Sequence, residues 1–93
     1  MISANEYFDS NVKSLGYTSA TGQSTIGVME AGTYEFGTTK HETMNVIEGE
    51  MLVKLPNSSE WVTYKAGEKY TIDANEKFQV TVSEQTAYLC QYK

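Results

Sequence analysis

The 93-residue sequence predicts an all-β domain, a small barrel or sandwich of roughly eight or nine short strands, and three observations carry that prediction. Apolar and polar residues alternate with a period of two. β-Branched and aromatic residues dominate the runs. Gly, Asn, Ser or Asp interrupts them at the spacing of a sandwich or barrel. No segment of ten or more residues shows a helical period.

Taken in order, "SANEYFD" carries the one helical signal, a short turn in which Ser3 and Glu6 have capping-box spacing. "VKSLGYTS" and "STIGVME" read as strands. "TYEFGT" puts Tyr34, Phe36 and Thr38 on one face, "ETMNVI" does so for Glu42, Met44 and Val46, and "EMLVKLP" for Met51, Val53 and Leu55. "EWVTY" and "EKYTI" follow. "KFQVTV" then brings Phe78, Val80 and Val82 into phase, and "TAYLCQYK" does the same for Tyr88, Cys90 and Tyr92. Turns fall at Glu48-Gly49, at the loop Pro56-Asn57-Ser58-Ser59 and at Ala66-Gly67.

With 40% apolar and 12% aromatic residues, the chain is one globular domain, residues 1–93, with material for a compact core. Its formal charge is -5 and all seven basic residues are lysines. A polyphosphate partner needs a basic face, so this balance argues against nucleic acid. Any anionic substrate must be held by lysine, hydroxyls or backbone N–H groups, without a bidentate guanidinium. The single cysteine, Cys90, gives no disulfide framework and no Cys-based zinc site, and fits a reducing cytoplasm. "MISANEYFDSNVKSLG" has no basic n-region or apolar h-region, and no stretch approaches eighteen apolar residues. The expectation is a soluble cytoplasmic protein with no membrane partner.

Glu42 is the odd residue of its face, a carboxylate in phase with Met44 and Val46. Buried without a partner, it must lose several kcal/mol or hold a proton. It therefore either accepts from a turn N–H at the rim or binds a polar ligand. His41, one residue earlier, alternates to the opposite face and reads as an exposed strand-start histidine. Cys90, in an aromatic strand, reads as a small buried apolar residue.

The run "E-x-M-x-V-I-x-G", followed about eighteen residues after its glycine by "A-G" and another strand, resembles the cupins, small jelly-roll barrels. In that frame Glu42 falls on the carboxylate of the first motif, and Phe36 and Thr38 on its two histidines. Phe78 falls on the histidine of the second motif, with Asp73 and Asn75 at its proline and glycine. Phenyl rings donate nothing to a metal, so the frame implies a cupin cavity with no metal and no cofactor.

"NEYF", "VKSLGYTS", "GVM" with Gly32, Tyr34 and Phe36, "E-x-M-x-V-I-x-G", Trp61, Tyr64, Gly67 and "YLC-x-Y" together resemble the pyrimidine/purine nucleoside phosphorylase family of very short cupins, over nearly the whole chain. The resemblance implies phosphorolysis of purine and pyrimidine nucleosides to free base and α-pentose 1-phosphate, with broad specificity and inorganic phosphate as co-substrate. In that reading Glu42 is the catalytic carboxylate that clamps the ribose hydroxyls. Phe36 and Phe78 stack on the base, and Tyr34 and Thr38 complete the substrate wall, Tyr34 by packing. Lys13, Ser14 and Thr38 are the candidate phosphate ligands by their donor chemistry. Some family members carry arginine where this chain has Gln23 and Gln91. The residues taken alone fit equally a non-catalytic cupin that binds or senses a small molecule. A short barrel leaves a strand edge that a second copy covers, so a homodimer is expected.

Overall fold

The computed structural model describes residues 2–92 and contains ten strands and no helix among them. They are β1 (Ser3–Tyr7), β2 (Val12–Ser19), β3 (Gly22–Met29), β4 (Gly32–Gly37) and β5 (Glu42–Glu48). Then follow β6 (Glu50–Lys54), β7 (Trp61–Lys65), β8 (Lys69–Ile72), β9 (Lys77–Val82) and β10 (Thr86–Tyr92). Every strand expected from alternation is present, within two residues of the expected ends. Lys93, the last residue of the final run, lies outside the described residues.

The capping-box turn at Ser3–Glu6 is corrected to a strand. β1 pairs antiparallel with β2, Ser3 opposite Gly16 and Tyr7 opposite Val12, and ladder hydrogen bonds outweigh a local side-chain cap. The reversal that follows sits in left-handed backbone at three consecutive non-glycine residues, Phe8, Asp9 and Ser10, with φ of 54°, 57° and 69°. Asn11 N–H donates to Phe8 C=O at 3.1 Å and Ser10 Oγ donates to Glu6 Oε2 at 3.2 Å, holding the turn.

The strands form two sheets, one of six in the order β1-β2-β3-β10-β5-β8 and one of four in the order β4-β9-β6-β7. All pairings are antiparallel. The turn at Glu48-Gly49 carries the chain from β5 in the first sheet to β6 in the second. This is the expected jelly-roll arrangement, with the two sheets facing each other as a sandwich and no ladder among the described residues joining them into a closed barrel. Aromatic rings occupy the seams instead. Phe8 packs on Tyr34 and Phe36 of β4, with ring centroids 5.0 and 5.4 Å apart, and Tyr64 of β7 packs on Tyr70 of β8 at 4.7 Å.

Between the sheets lie the alternate residues that the sequence put in phase, among them Met44, Val46, Met51, Val53, Phe78, Val80, Val82 and Cys90, together with Val12, Met29, Tyr70 and Ile72. Burying each large apolar side chain is worth about 1.5–3 kcal/mol.

Two glycines with positive φ test how tightly this core is built. Gly49 (φ +93°) faces Thr86, whose Oγ1 would lie 2.7 Å from an added Cβ, whereas Gly67 (φ +90°) has nothing within 4 Å. Gly67→Ala is expected to cost only the left-handed backbone penalty, about 1–2 kcal/mol. Gly49→Ala is expected to cost about 1–3 kcal/mol more, because fully buried Thr86 must move as well. Urea unfolding of both variants measures the difference.

Candidate functional site

Strand register arranges the inner face of the six-stranded sheet in rows. Asn5, Ser14, Gly27, Tyr88 and Val46 form one row across β1, β2, β3, β10 and β5. Ser3, Gly16, Thr25, Cys90, Met44 and Tyr70 form the next. At the open end, Tyr92 lies between Glu42 and Gln23, since Tyr92 pairs with Glu42 and the neighbouring Gln91 pairs with Ser24. On β2 and β3 the rows hold Ser14, Gly16, Thr25 and Gly27, all small. On β10 and β5 they hold Tyr88, Tyr92, Cys90, Met44 and Glu42.

Small residues on one half of a floor and large ones on the other leave a hollow, and a cavity of about 400 Å³ lies there. That is the size of a small-ligand pocket. Its floor is Ser14, Thr25, Glu42, Met44, Tyr88, Cys90 and Tyr92, and Phe36 and Phe78 form the opposite wall. Their rings are stacked at 5.5 Å. Tyr7 and Phe8 close the side, the latter positioned by its left-handed turn. Gly27 is required by Tyr88: a Cβ there would lie 2.5 Å from the Tyr88 hydroxyl oxygen.

The polar groups of the floor are mostly donors that stay protonated. Burial pushes the Tyr88 hydroxyl up to about 12, with nearby Cys90 adding to the shift and a hydrogen bond with Ser14 opposing it. Burial also raises Tyr92, whose Oη lies 3.1 Å from Thr25 Oγ1, and raises the Cys90 thiol, with Glu42 second. Against these stands one buried carboxylate. Glu42 is 9% exposed and accepts from Cys90 Sγ at 3.4 Å. Burial raises its pKa, partly offset by the Cys90 hydrogen bond and by His41. No lysine lines the cavity.

The structure therefore brings together Glu42, Phe36, Phe78 and Ser14 of the residues singled out from sequence. It sends the others elsewhere. Tyr34 stands behind Phe8 and Phe36 and donates to Glu30 C=O at 2.6 Å. Thr38 lies past the end of β4, donates to Asp73 C=O at 2.7 Å and accepts from Glu76 N–H at 2.9 Å, so its hydroxyl pins the turn before β9. Lys13 alternates to the outer face of the sheet, opposite its neighbours Val12 and Ser14, and pairs with Glu6 at 3.5 Å. Neither Lys13 nor Thr38 lines the cavity. Sequence reasoning missed Thr25, Tyr88 and Tyr92 as floor residues, although Tyr88, Cys90 and Tyr92 were visibly in phase.

A carboxylate whose pKa is raised on folding contributes stability below its unfolded value, and that contribution is lost as pH rises through the folded value. Glu42→Gln removes the charge and keeps an acceptor for Cys90. The variant is expected to unfold at a higher urea concentration than wild type at pH 7.5, with the gap closing below about pH 4.5. A gap independent of pH contradicts the assignment.

The family model described as pyrimidine/purine nucleoside phosphorylase matches residues 2–92. A pyrimidine/purine nucleoside phosphorylase of Pseudomonas syringae pv. tomato is 55% identical over 93 residues, covering all of both chains. Pyrimidine/purine nucleoside phosphorylase 2 of Psychrobacter arcticus is 55% identical over 92 residues, covering 99% of this chain and 98% of its own. A crystal structure of a protein of unknown function from Vibrio parahaemolyticus superposes with a TM-score of 0.96 at 40% identity, covering 100% of this chain and 99% of that one. An RmlC-like cupin from Shewanella frigidimarina, only 10% identical, superposes with a TM-score of 0.74 over 99% of this chain and 83% of its own, and shows that the fold is that of the cupins. With a family match running from residue 2 to residue 92 and relatives of more than half identity over the whole length, the chain belongs to the pyrimidine/purine nucleoside phosphorylase family.

Proposed function

We propose that this protein is a pentosyltransferase of the nucleoside phosphorylase type, cleaving purine and pyrimidine nucleosides with inorganic phosphate. The observation that carries the reading, beyond family membership, is the division of the cavity into an aromatic wall, with exposed Glu35 beside it, and a hydroxyl-rich floor with one buried carboxylate, Glu42. A nucleoside has the same division, a flat base and a polyol.

Phe36 and Phe78 offer ring faces to the base, and every base has a π-face, so the contact discriminates little between bases. This supports broad specificity. Glu42 accepts from the 2′- and 3′-hydroxyls, while Ser14 and Tyr88 supply donors to the sugar oxygens. As the bond between C1′ and the base nitrogen lengthens, positive charge develops on C1′ and the ring oxygen, and a nearby carboxylate stabilises it. A phosphate oxygen then forms the new bond at C1′ on the face opposite the base. The C1′–N electron pair leaves with the base, which takes up the proton that hydrogen phosphate gives up in net. Displacement from the opposite face turns a β-nucleoside into the α-pentose 1-phosphate.

The reading needs no metal. Supporting this, the cupin ligand positions hold the rings of Phe36 and Phe78 and the committed hydroxyl of Thr38, and the described residues contain no group of three or more His, Cys, Asp or Glu placed to hold an ion. A homodimer and a cytoplasmic location are part of the same proposal. The outer face of the six-stranded sheet exposes Leu15, Ile26 and Val28 side by side, a strip suited to a second copy.

The test is release of uracil from uridine and adenine from adenosine, with and without phosphate. Release is expected to require phosphate and to fall at least tenfold in Glu42→Ala. Wild-type protein that is folded and releases no base in either condition returns the site to a small-molecule binding module. Metal analysis of the active protein is expected to find no stoichiometric iron, manganese or zinc. Light scattering at micromolar concentration is expected to give the mass of two chains, and a monomer mass removes the dimer.

A further inference from the structure

The main cavity lacks a cation, and phosphorolysis brings in a dianion. A second cleft of about 310 Å³ adjoins the cavity at its open end and shares Thr25 and Tyr92 with it. Its lining is polar, and Asn5, Thr18 and Gln23 stand on the inner face beside the shared pair. Six of the seven lysines have no access to it from their described positions or lie outside them. Lys13, Lys54, Lys65, Lys69 and Lys77 all alternate to outward faces of their strands, and Lys93 lies outside the described residues.

Among the described lysines Lys40 is the exception, through its bond to Gln23, which lines the cleft. It sits in the connection between β4 and β5, two residues before Glu42, and its Nζ donates to Gln23 Oε1 at 3.2 Å. Its partner is an amide, not a carboxylate. The ion pair found among the described residues is Lys13–Glu6, far along the outer face, so the Lys40 ammonium is not neutralised by it. Gln23 flanks Tyr92, and Tyr92 flanks Glu42, so Gln23 is two strands from the carboxylate, about 10 Å. That span accommodates a sugar seated on Glu42 with an anion beyond its C1′.

We propose that the cleft lined by Gln23, Thr25 and Tyr92 is the phosphate subsite, with Lys40, held on Gln23, supplying charge and the Gln23 amide and the Thr25–Tyr92 hydroxyl pair supplying directed hydrogen bonds. The proposal deepens the phosphorolysis reading and rests on it for the physiological ligand. An ammonium carries charge without the fork geometry of a guanidinium, so the amide and hydroxyls must set the orientation. The 5′-phosphate of a nucleotide has the same chemistry and is distinguished by experiment.

The experiment is titration of the full chain with inorganic phosphate and no nucleoside, followed by ³¹P NMR, beside steady-state phosphorolysis of uridine. Lys40→Ala is expected to weaken phosphate binding at least tenfold, Lys40→Arg to recover most of it, and Lys13→Ala to leave it within about twofold. Gln23→Glu keeps Lys40 but neutralises it, and is expected to weaken phosphate as strongly. In turnover, Lys40→Ala is expected to raise KM for phosphate at least tenfold and leave KM for uridine within about twofold. Unchanged phosphate affinity in Lys40→Ala, or loss in Lys13→Ala instead, overturns the subsite whether or not the protein is active. Phosphate binding that depends on Lys40 in a protein that releases no base keeps the subsite and overturns the reaction. Wild-type protein that takes uridine 5′-monophosphate in a Lys40-dependent way but no inorganic phosphate, or that binds neither, overturns the proposal.

Discussion

Two sheets that share no ladder along their edges must be held at those edges by something else, and in this protein aromatic rings do it. Phe8 bridges from the end of β1 to Tyr34 and Phe36 on β4, and Tyr64 bridges from β7 to Tyr70 on β8. A ladder fixes strand separation at just under 5 Å, whereas a ring contact allows the sheets to stand apart by the thickness of side chains. The site exists because of that difference. Phe8 and Phe36 are at once the seam and two walls of the cavity. The three left-handed residues after Tyr7 are tolerated because they turn Phe8 into this position, a local cost carried by the contact it makes.

The second constraint is the distribution of side-chain volume on the floor. β2 and β3 run side by side with Ser14 opposite Gly27 and Gly16 opposite Thr25, and nothing large enters from that side. Tyr88 leans across into the space that Gly27 leaves. The carboxylate of Glu42 is then the one acceptor in a group of donors kept protonated by burial, and its nearest described hydrogen-bond partner is a thiol, a weak donor. Such a carboxylate is poorly satisfied by its own protein, which is the condition under which a ligand's hydroxyls have most to offer it.

Most of the strand pattern was legible because a half-buried strand writes its period into the sequence, and β4, β5, β6, β9 and β10 keep that period cleanly. β1 was not legible. Its residues Ser3–Tyr7 are exposed or half-buried, so no alternation marks them, and only pairing with β2 makes them a strand. Glu42, Phe36 and Phe78 were reachable by parity alone. Lys13 and Ser14 were offered together, though adjacent strand residues point to opposite faces, and the sequence already contained the reason that only one reaches the cavity. Thr38 stands outside the cavity for a subtler reason: β4 ends at Gly37, and parity does not continue through a turn. The cation at Lys40 was invisible because it lies in a connection, where side-chain direction follows tertiary contacts rather than period.

The glycines of the floor differ in what a single added carbon would do. At Gly27 a methyl collides with Tyr88, so the position is tied to the integrity of the fold. At Gly16 the nearest atoms to an added Cβ are 3.7 and 3.8 Å away, ordinary contact distances, on Ser3, Asn5 and Thr25. One position is therefore locked by its neighbour and the other is an open dial, at which natural variation can shrink the outer cleft by one methyl group while the sheets above and below it stay as they are.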